Sequence, residues 1–340
     1  MRTAAEAANM YKARLRAGII SIVVGASVCG IKFAGFFTTN SYAILSDALE
    51  SIINVVAASF AVYTIVQSSR KADHEHPYGR GRLEYFSAGI EGSLILLAGV
   101  LILRESVPRL FTGHQVSRMD LGLLFTGVGT AANLMLAMYL TRVGRANHSA
   151  ALEADGKHVM SDVISSLGLF LGLILVAATS YPWMDPLVAS IMALWILFSG
   201  FQLVRHSYHQ LMDRASPEVI DSVARALSDA RIPEMIRPHR LRLRESGSYI
   251  LVDFHLIVPR YFTVKQLHAL EERIHHHLTQ AMDRPVDLLL HNDACAPPDC
   301  SYCGVKRCPV RKNKQKTTVT WGAEQLLDDI HHVKTHTAED

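Results

Sequence analysis

The sequence predicts a six-helix transmembrane domain followed by a small soluble α+β domain, a ferredoxin-like open-faced sandwich of order αββαβ. Three observations lead there. Long apolar runs fall almost wholly between residues 15 and 205, while residues 206–340 are charged, histidine-rich and of ordinary hydropathy. Six stretches of the first region approach the roughly 20 apolar residues that a bilayer-spanning helix needs. Beyond residue 213 the hydrophobic period switches between that of helices and that of strands.

Taken in order, residues 1–14 form a polar, basic N-terminal segment, and residues 15–210 the membrane domain. No cleavable leader is expected, because the first apolar run is long enough to span. The predicted spans are 17–37, 43–67, 85–103, 121–139, 158–179 and 183–204. An even number of spans puts both termini on one side. Arg2, Lys12, Arg14 and Arg16, then Arg70, Lys71, Arg80 and Arg82, then Arg142, Arg145 and Lys157 flank that side. The opposite loops are uncharged or mixed, so the positive-inside rule places both termini in the cytoplasm and lipid around the spans. A net charge of +3, dispersed along the chain, excludes a nucleic-acid partner.

The soluble domain is expected over residues 211–295, with helices at 217–228 and 263–282 and strands at 240–245, 249–258 and 286–290. Ser246-Gly247-Ser248 supplies a hairpin turn, and Thr263 caps the second helix with Gln266 three residues on, a capping box. Residues 296–340 read as a flexible, cysteine-containing tail with one short helix near 324–333. Cys29 stands alone in the first span, as a small packing residue does. The other four cysteines fall as Cys295-x4-Cys300-x2-Cys303-x4-Cys308, a set that suits a thiolate zinc site in a reducing cytoplasm.

Two segments inside the apolar helices share one polar pattern: Asp47-x-x-Glu50-x-x-x-Asn54 and Asp155-x-x-His158-x-x-x-Asp162. Positions i, i+3 and i+7 of a helix share a face, so each segment presents a polar stripe. Ionisable groups in membrane helices are costly and face a protein interior or a water-filled path. Two facing stripes would supply Glu50, Asn54, His158 and Asp162 as a four-ligand cage for a divalent cation. Asp47 and Asp155 sit one turn earlier, where supporting roles fit better. In the loop that follows the second span, Asp73 and His76 offer two ligands for a weaker second site.

On these residues the chain resembles the cation diffusion facilitators, proton-coupled exporters of divalent transition metals, from about residue 12 to about residue 295. His158-x-x-x-Asp162 matches the family pattern in the fifth span. Glu50-x-x-x-Asn54 departs from it in the second, where Asp or His followed by Asp is usual. His76-Pro77-Tyr78-Gly79-Arg80-Gly81-Arg82-Leu83-Glu84 resembles the family's loop signature, with Arg80 in place of a histidine ligand. The resemblance implies a bacterial inner-membrane protein with no catalytic cofactor. It implies Zn²⁺, Fe²⁺, Mn²⁺, Co²⁺ or Ni²⁺ as cargo and protons in exchange. It also implies a homodimer tightened by a structural metal site at His239, His255, His268, His291 and Asp293. Two other readings stand beside it. A transport-inactive partner or metal-sensing scaffold would keep the fold; an intramembrane metalloenzyme would use the His/Asp/Glu set to activate water. Four candidate ligands fill a tetrahedral site and leave no open position, which favours carriage over catalysis.

Overall fold

The computed structural model describes residues 4–39, 42–70, 72–112, 120–179, 181, 183–247, 249–282, 284–317 and 320–328. The chain divides between Met212 and Asp213 into two compact units.

The first unit is built on α1 (Ala4–Thr39), α2 (Tyr42–Ser68), α3 (Leu83–Thr112), α4 (Asp120–Ala146), α5 (Ala150–Thr179) and α6 (Met184–Leu211). Among the described residues, three stretches, Asn9–Phe37, Leu83–Phe111 and Ala189–Leu211, are long and apolar enough to cross a membrane. Several helices begin before the predicted spans, α1 at Ala4 and α5 at Ala150. Their flanks are rich in Ala, Glu, Lys and Arg, strong helix formers that carry the ladder beyond the apolar run.

Helix α5 lies at the centre of this unit. Its Ala151, Leu152 and Val159 pack with Ala17, Ile65 and Leu140 of α1, α2 and α4. Its Ala154 packs instead with Ala88, Ile95, Ile196 and Leu203 of α3 and α6. A helix shared by two packing groups encloses whatever polar residues it carries. Small residues let the backbones approach, as is usual between membrane helices. A Cβ added at Gly92 of α3 would come within 3.0 Å of the Val204 amide nitrogen on α6. Ser207 Oγ donates to the Tyr85 carbonyl at 2.5 Å, and the Ser106 and Ser190 hydroxyls pair at 2.9 Å, stitching α3 to α6.

Gly156 of α5 lies close against α4: an added Cβ would lie 2.6 Å from the Thr141 hydroxyl, 2.9 Å from the Thr141 amide nitrogen and 3.2 Å from the Ala137 carbonyl oxygen. The last two are backbone atoms, so the helices would have to part. Gly156→Ala is expected to destabilise the protein by about 1–3 kcal/mol, the usual cost of overpacking. Thermal denaturation of the detergent-solubilised protein checks this; an unchanged transition would mean that α4 and α5 part freely.

Helix α6 ends at Leu211 with Met212 as its C-cap, and Asp213 follows with a φ of 58°, the left-handed step that terminates many helices and that Asp tolerates. The second unit comprises α7 (Pro217–Ala230), β1 (Arg237–Ser246), β2 (Tyr249–Val258), α8 (Val264–Ala281), β3 (Val286–Ala294) and α9 (Ala323–Leu327). Ser216 caps α7, with Pro217 at the first helical position where its missing N–H costs nothing. Thr263 and Gln266 form the expected capping box on α8. The sheet order is β1-β2-β3; β1 runs antiparallel to β2, and β3 parallel to it. Its core joins Val252, Phe254 and Leu256 of β2 to Leu227 of α7 and to Leu270, Ile274 and Leu278 of α8.

Three sequence expectations need correction. Strand β1 begins at Arg237 rather than at 240, and β3 runs to Ala294 rather than stopping at 290. The extra residues are polar, but their backbones continue the pairing: His239 opposite His255, and Asn292 opposite Leu256. The stretch from 296 onward is not a free tail throughout. Residues Pro297–Ser301 form a 3-10 turn, the Lys316 and Thr317 amides donate to the Ser301 carbonyl at 2.9 and 3.1 Å, and Trp321 and Leu326 are buried in the core. Only the first part of the helix expected near 324–333 is described, as α9; residues 329–340 lie outside the described residues.

Candidate metal centre

The facing stripes of α2 and α5 do meet. Asn54 is 8% exposed, His158 4% and Asp162 7%. The Asn54 Nδ2 donates to Asp162 Oδ2, and Asn54 Oδ1 lies 2.7 Å from His158 Nε2. The orientation follows from what each group can do. An ionised Asp162 only accepts, so the Asn54 amide nitrogen faces it, the amide oxygen faces His158, and the imidazole donates from Nε2. That tautomer leaves a lone pair on His158 Nδ1, which is buried and finds no hydrogen-bond partner among the described residues. Asn54 also lines a small cleft between α1, α2, α4 and α5, together with Ser21, Ser51 and Asn133. Glu50 belongs to α2, but its side chain lies outside the described residues, as does that of Asp47. Asp155 is directed to α1, where Ser21 Oγ donates to its Oδ2 at 2.7 Å. Imidazole, amide oxygen and carboxylate converging among buried residues form a donor set suited to a first-row divalent ion.

The loop between α2 and α3 is arranged differently. Asp73 Oδ1 accepts from the Glu75 and His76 amides at 3.1 and 2.8 Å and lies 3.2 Å from His76 Nδ1. Its Oδ2 pairs with Arg80 Nη2 at 2.7 Å. The His76 N–H, aided by the Arg80 guanidinium, holds the Asp73 carboxyl below its usual range. A depressed folded value means that this contribution is present above the unfolded value and lost as pH falls through the folded one. A metal at Asp73 and His76 would have to displace a guanidinium that already neutralises the carboxylate.

In the second unit the strand register builds a row of imidazoles. His239 pairs with His255 across β1 and β2, and His255 with His291 across β2 and β3, so all three occupy one row of the sheet. Asp293, two residues beyond His291, falls on the same face. Its Oδ2 lies 3.0 Å from His255 Nδ1 and 3.5 Å from His239 Nε2, and its Oδ1 3.2 Å from His291 Nε2. His239, His255 and Asp293 bring their ligand atoms within 4.8 Å of one another. The row depends on a register shift between His239 and Arg242, where Arg240 takes a φ of 52°. His268 is not gathered with them; it stands exposed on α8, 3.6 Å from Glu272. Nor are the four tail cysteines one set. Cys295 and Cys303 are buried together with Cys308 against them, whereas Cys300 turns its sulfur to the Lys312 amide.

One polar centre escapes sequence reading. Glu84, 0% exposed at the start of α3, accepts Arg14 Nη1 of α1 at 2.8 Å. It also accepts the Ser68 hydroxyl of α2 at 2.9 Å and the Ser149 hydroxyl, at the mouth of α5, at 2.7 Å. Arg14 reaches on to Ser69 Oγ at 3.0 Å. Arg14 reads as one more positive charge beside a span, and only the glutamate two residues beyond Arg82 hints at a buried partner.

Comparison with known proteins bears on both units. The family model described as "Cation efflux transmembrane domain" matches residues 18–212, and that described as "Cation efflux protein, cytoplasmic domain" matches residues 215–295. An uncharacterized transporter of Synechocystis is 34% identical over 259 residues, covering 75% of this chain and 83% of its own. The cadmium, cobalt and zinc/H(+)-K(+) antiporter of Bacillus subtilis is 27% identical over 290 residues, 85% of this chain and 92% of its own. The zinc transporter ZitB of Yersinia pestis is 26% identical over 267 residues, 78% and 84% respectively.

Proposed function

The chain belongs to the cation efflux, or cation diffusion facilitator, family, and from that premise we propose that it exports a divalent transition-metal cation from the cytoplasm in exchange for protons. It is a transporter and not an enzyme. Glu50, Asn54, His158 and Asp162 are the cargo site, α1 to α6 are six membrane spans, and both termini face the cytoplasm of a bacterial inner membrane. The second unit, a ferredoxin-like open-faced sandwich, pairs two copies of the chain, with metal at His239, His255, His291 and Asp293 tightening the dimer. Zn²⁺, Co²⁺, Fe²⁺, Mn²⁺ and Ni²⁺ are the cargo candidates, and the names of relatives add Cd²⁺.

The observation that carries this reading is the Asn54 amide bridging His158 and Asp162 in the interior of a membrane unit. Two ionised carboxylates, Glu50 and Asp162, bring the loaded site close to neutrality, which reduces the cost of burying a dication. When the cation departs, uncompensated negative charge remains. A proton taken up by the His158 imidazole replaces part of the lost positive charge, so release of cargo and uptake of protons are linked. Rocking of helices about the site exposes it to each side in turn.

Purified protein in liposomes with an imposed pH gradient tests this directly, with the six metals offered in parallel. Gradient-dependent uptake of at least one metal is expected, with a counterflow of protons reported by an internal pH dye. Folded protein that moves none of them would overturn the reading.

A further inference from the structure

Four cysteines follow the histidine row, and the loop that carries them is built rather than loose. Arg311 Nη2 donates to the Val305 and Cys303 carbonyls at 2.6 and 3.1 Å, and its Nη1 reaches the Cys300 carbonyl at 3.4 Å. The guanidinium thus straps residues 300–305 into one shape. On the other side Arg260 Nε donates to the Cys295 carbonyl at 2.9 Å. Cys295 and Cys303 are buried in one cluster with Ile236, Ile257 and Val305, and both Cys308 and Tyr302 pack against that cluster. All of these cysteines are free thiols. Cys300 lies outside this cluster and turns its sulfur to the Lys312 amide at 3.5 Å.

We propose that Cys295, Cys303 and Cys308 form a three-thiolate site for a soft metal ion, separate from the transport site and from the histidine row. Thiolates in apolar surroundings select Zn²⁺, Cd²⁺ or Cu⁺ over the hard cations. Three thiolates around a divalent ion leave a net charge near −1, and the guanidinium groups of Arg260 and Arg311 offset it. Among the described residues, only His239, His255 and Asp293 bring three ligand atoms within 4.8 Å. The three sulfurs therefore stand wider than a bound ion holds them, and binding draws the 303–308 segment inward. The site is independent of the transport reading and would exist in a transport-inactive chain.

Cadmium titration of the reduced, full-length protein tests it through the ultraviolet thiolate-to-cadmium charge-transfer band, to which histidine and carboxylate ligands contribute nothing. One thiolate-bound Cd²⁺ per chain is expected. The band should be lost in Cys303→Ser and in Cys308→Ser, and kept in Cys300→Ser. Cys308 is half-buried, so its substitution leaves the packed interior intact. Thiol labelling gives an independent check: one equivalent of bound Cd²⁺ should slow labelling of the half-buried Cys308 and leave the labelling rate of Cys300 unchanged. Absence of the band at any ratio overturns the proposal, and so does a band that Cys300→Ser removes as fully as Cys303→Ser.

Discussion

An Asp162→Asn protein is expected to fold normally and to carry no divalent metal above the level of protein-free vesicles. The substitution is nearly isosteric, and the new amide can accept the Asn54 Nδ2 hydrogen bond that the carboxylate accepts now. Packing around the 7% exposed side chain is therefore preserved. What changes is charge. A dication in the interior would then face one carboxylate, and an uncompensated buried charge costs several kcal/mol. At about 1.4 kcal/mol per tenfold, the affinity should fall on the order of 1,000-fold. Calorimetry of metal binding to the detergent-solubilised protein reads the affinity, and gradient-driven uptake reads the consequence. Binding within a few-fold of the parent, with the histidine row removed in both proteins, would take Asp162 out of the site.

The second large effect concerns stability. Arg14→Leu leaves Glu84 fully buried with two serine hydroxyls and no cation partner among the described residues. Removing one partner of a buried ion pair typically costs about 3–5 kcal/mol, because the remaining charge is left uncompensated. The loss should appear as a lower thermal transition in detergent. A double variant, Arg14→Met with Glu84→Leu, is expected to recover much of it, since well-packed apolar pairs often replace buried ion pairs at little cost. A single variant as stable as the parent would mean that Glu84 finds its compensation elsewhere. The pair also ties α1 to the end of α2, the start of α3 and the start of α5, so the two helices that present Asn54 and His158 share one anchor.

The parts of the site legible in the sequence are those fixed by helical period. The seven-residue stripe of α5 places His158 and Asp162 on one face wherever the helix packs, and the apolar residues around it ensure burial. Contacts set by chain pairing were illegible. Arg14 and Glu84 are 70 residues apart and carry no local signature. The histidine row rests on strand register over more than 50 residues and on a left-handed Arg240 that no residue preference announces. His291, Asn292 and Asp293 end the apolar run of the strand expected at 286–290; they are strand because β2 offers them partners. His268 shares a sequence neighbourhood with the others, yet its helix turns it to solvent. The symmetric spacing of the cysteines suggested four equivalent ligands, whereas the fold buries Cys295 and Cys303 in one cluster with Cys308 against it and turns Cys300 to the Lys312 amide.

The pairing of Arg80 with Asp73 has a consequence for feedback. The cation that satisfies this carboxylate is carried on the polypeptide itself, at an effective concentration that neither dilution nor chelation alters. A dissolved ion that reaches the loop from 73 to 82 therefore meets a tethered competitor at Asp73, whereas the carboxylate of Asp293 has imidazoles gathered around it. Of two clusters built from the same donor types, the tethered cation makes the first the less responsive to supply.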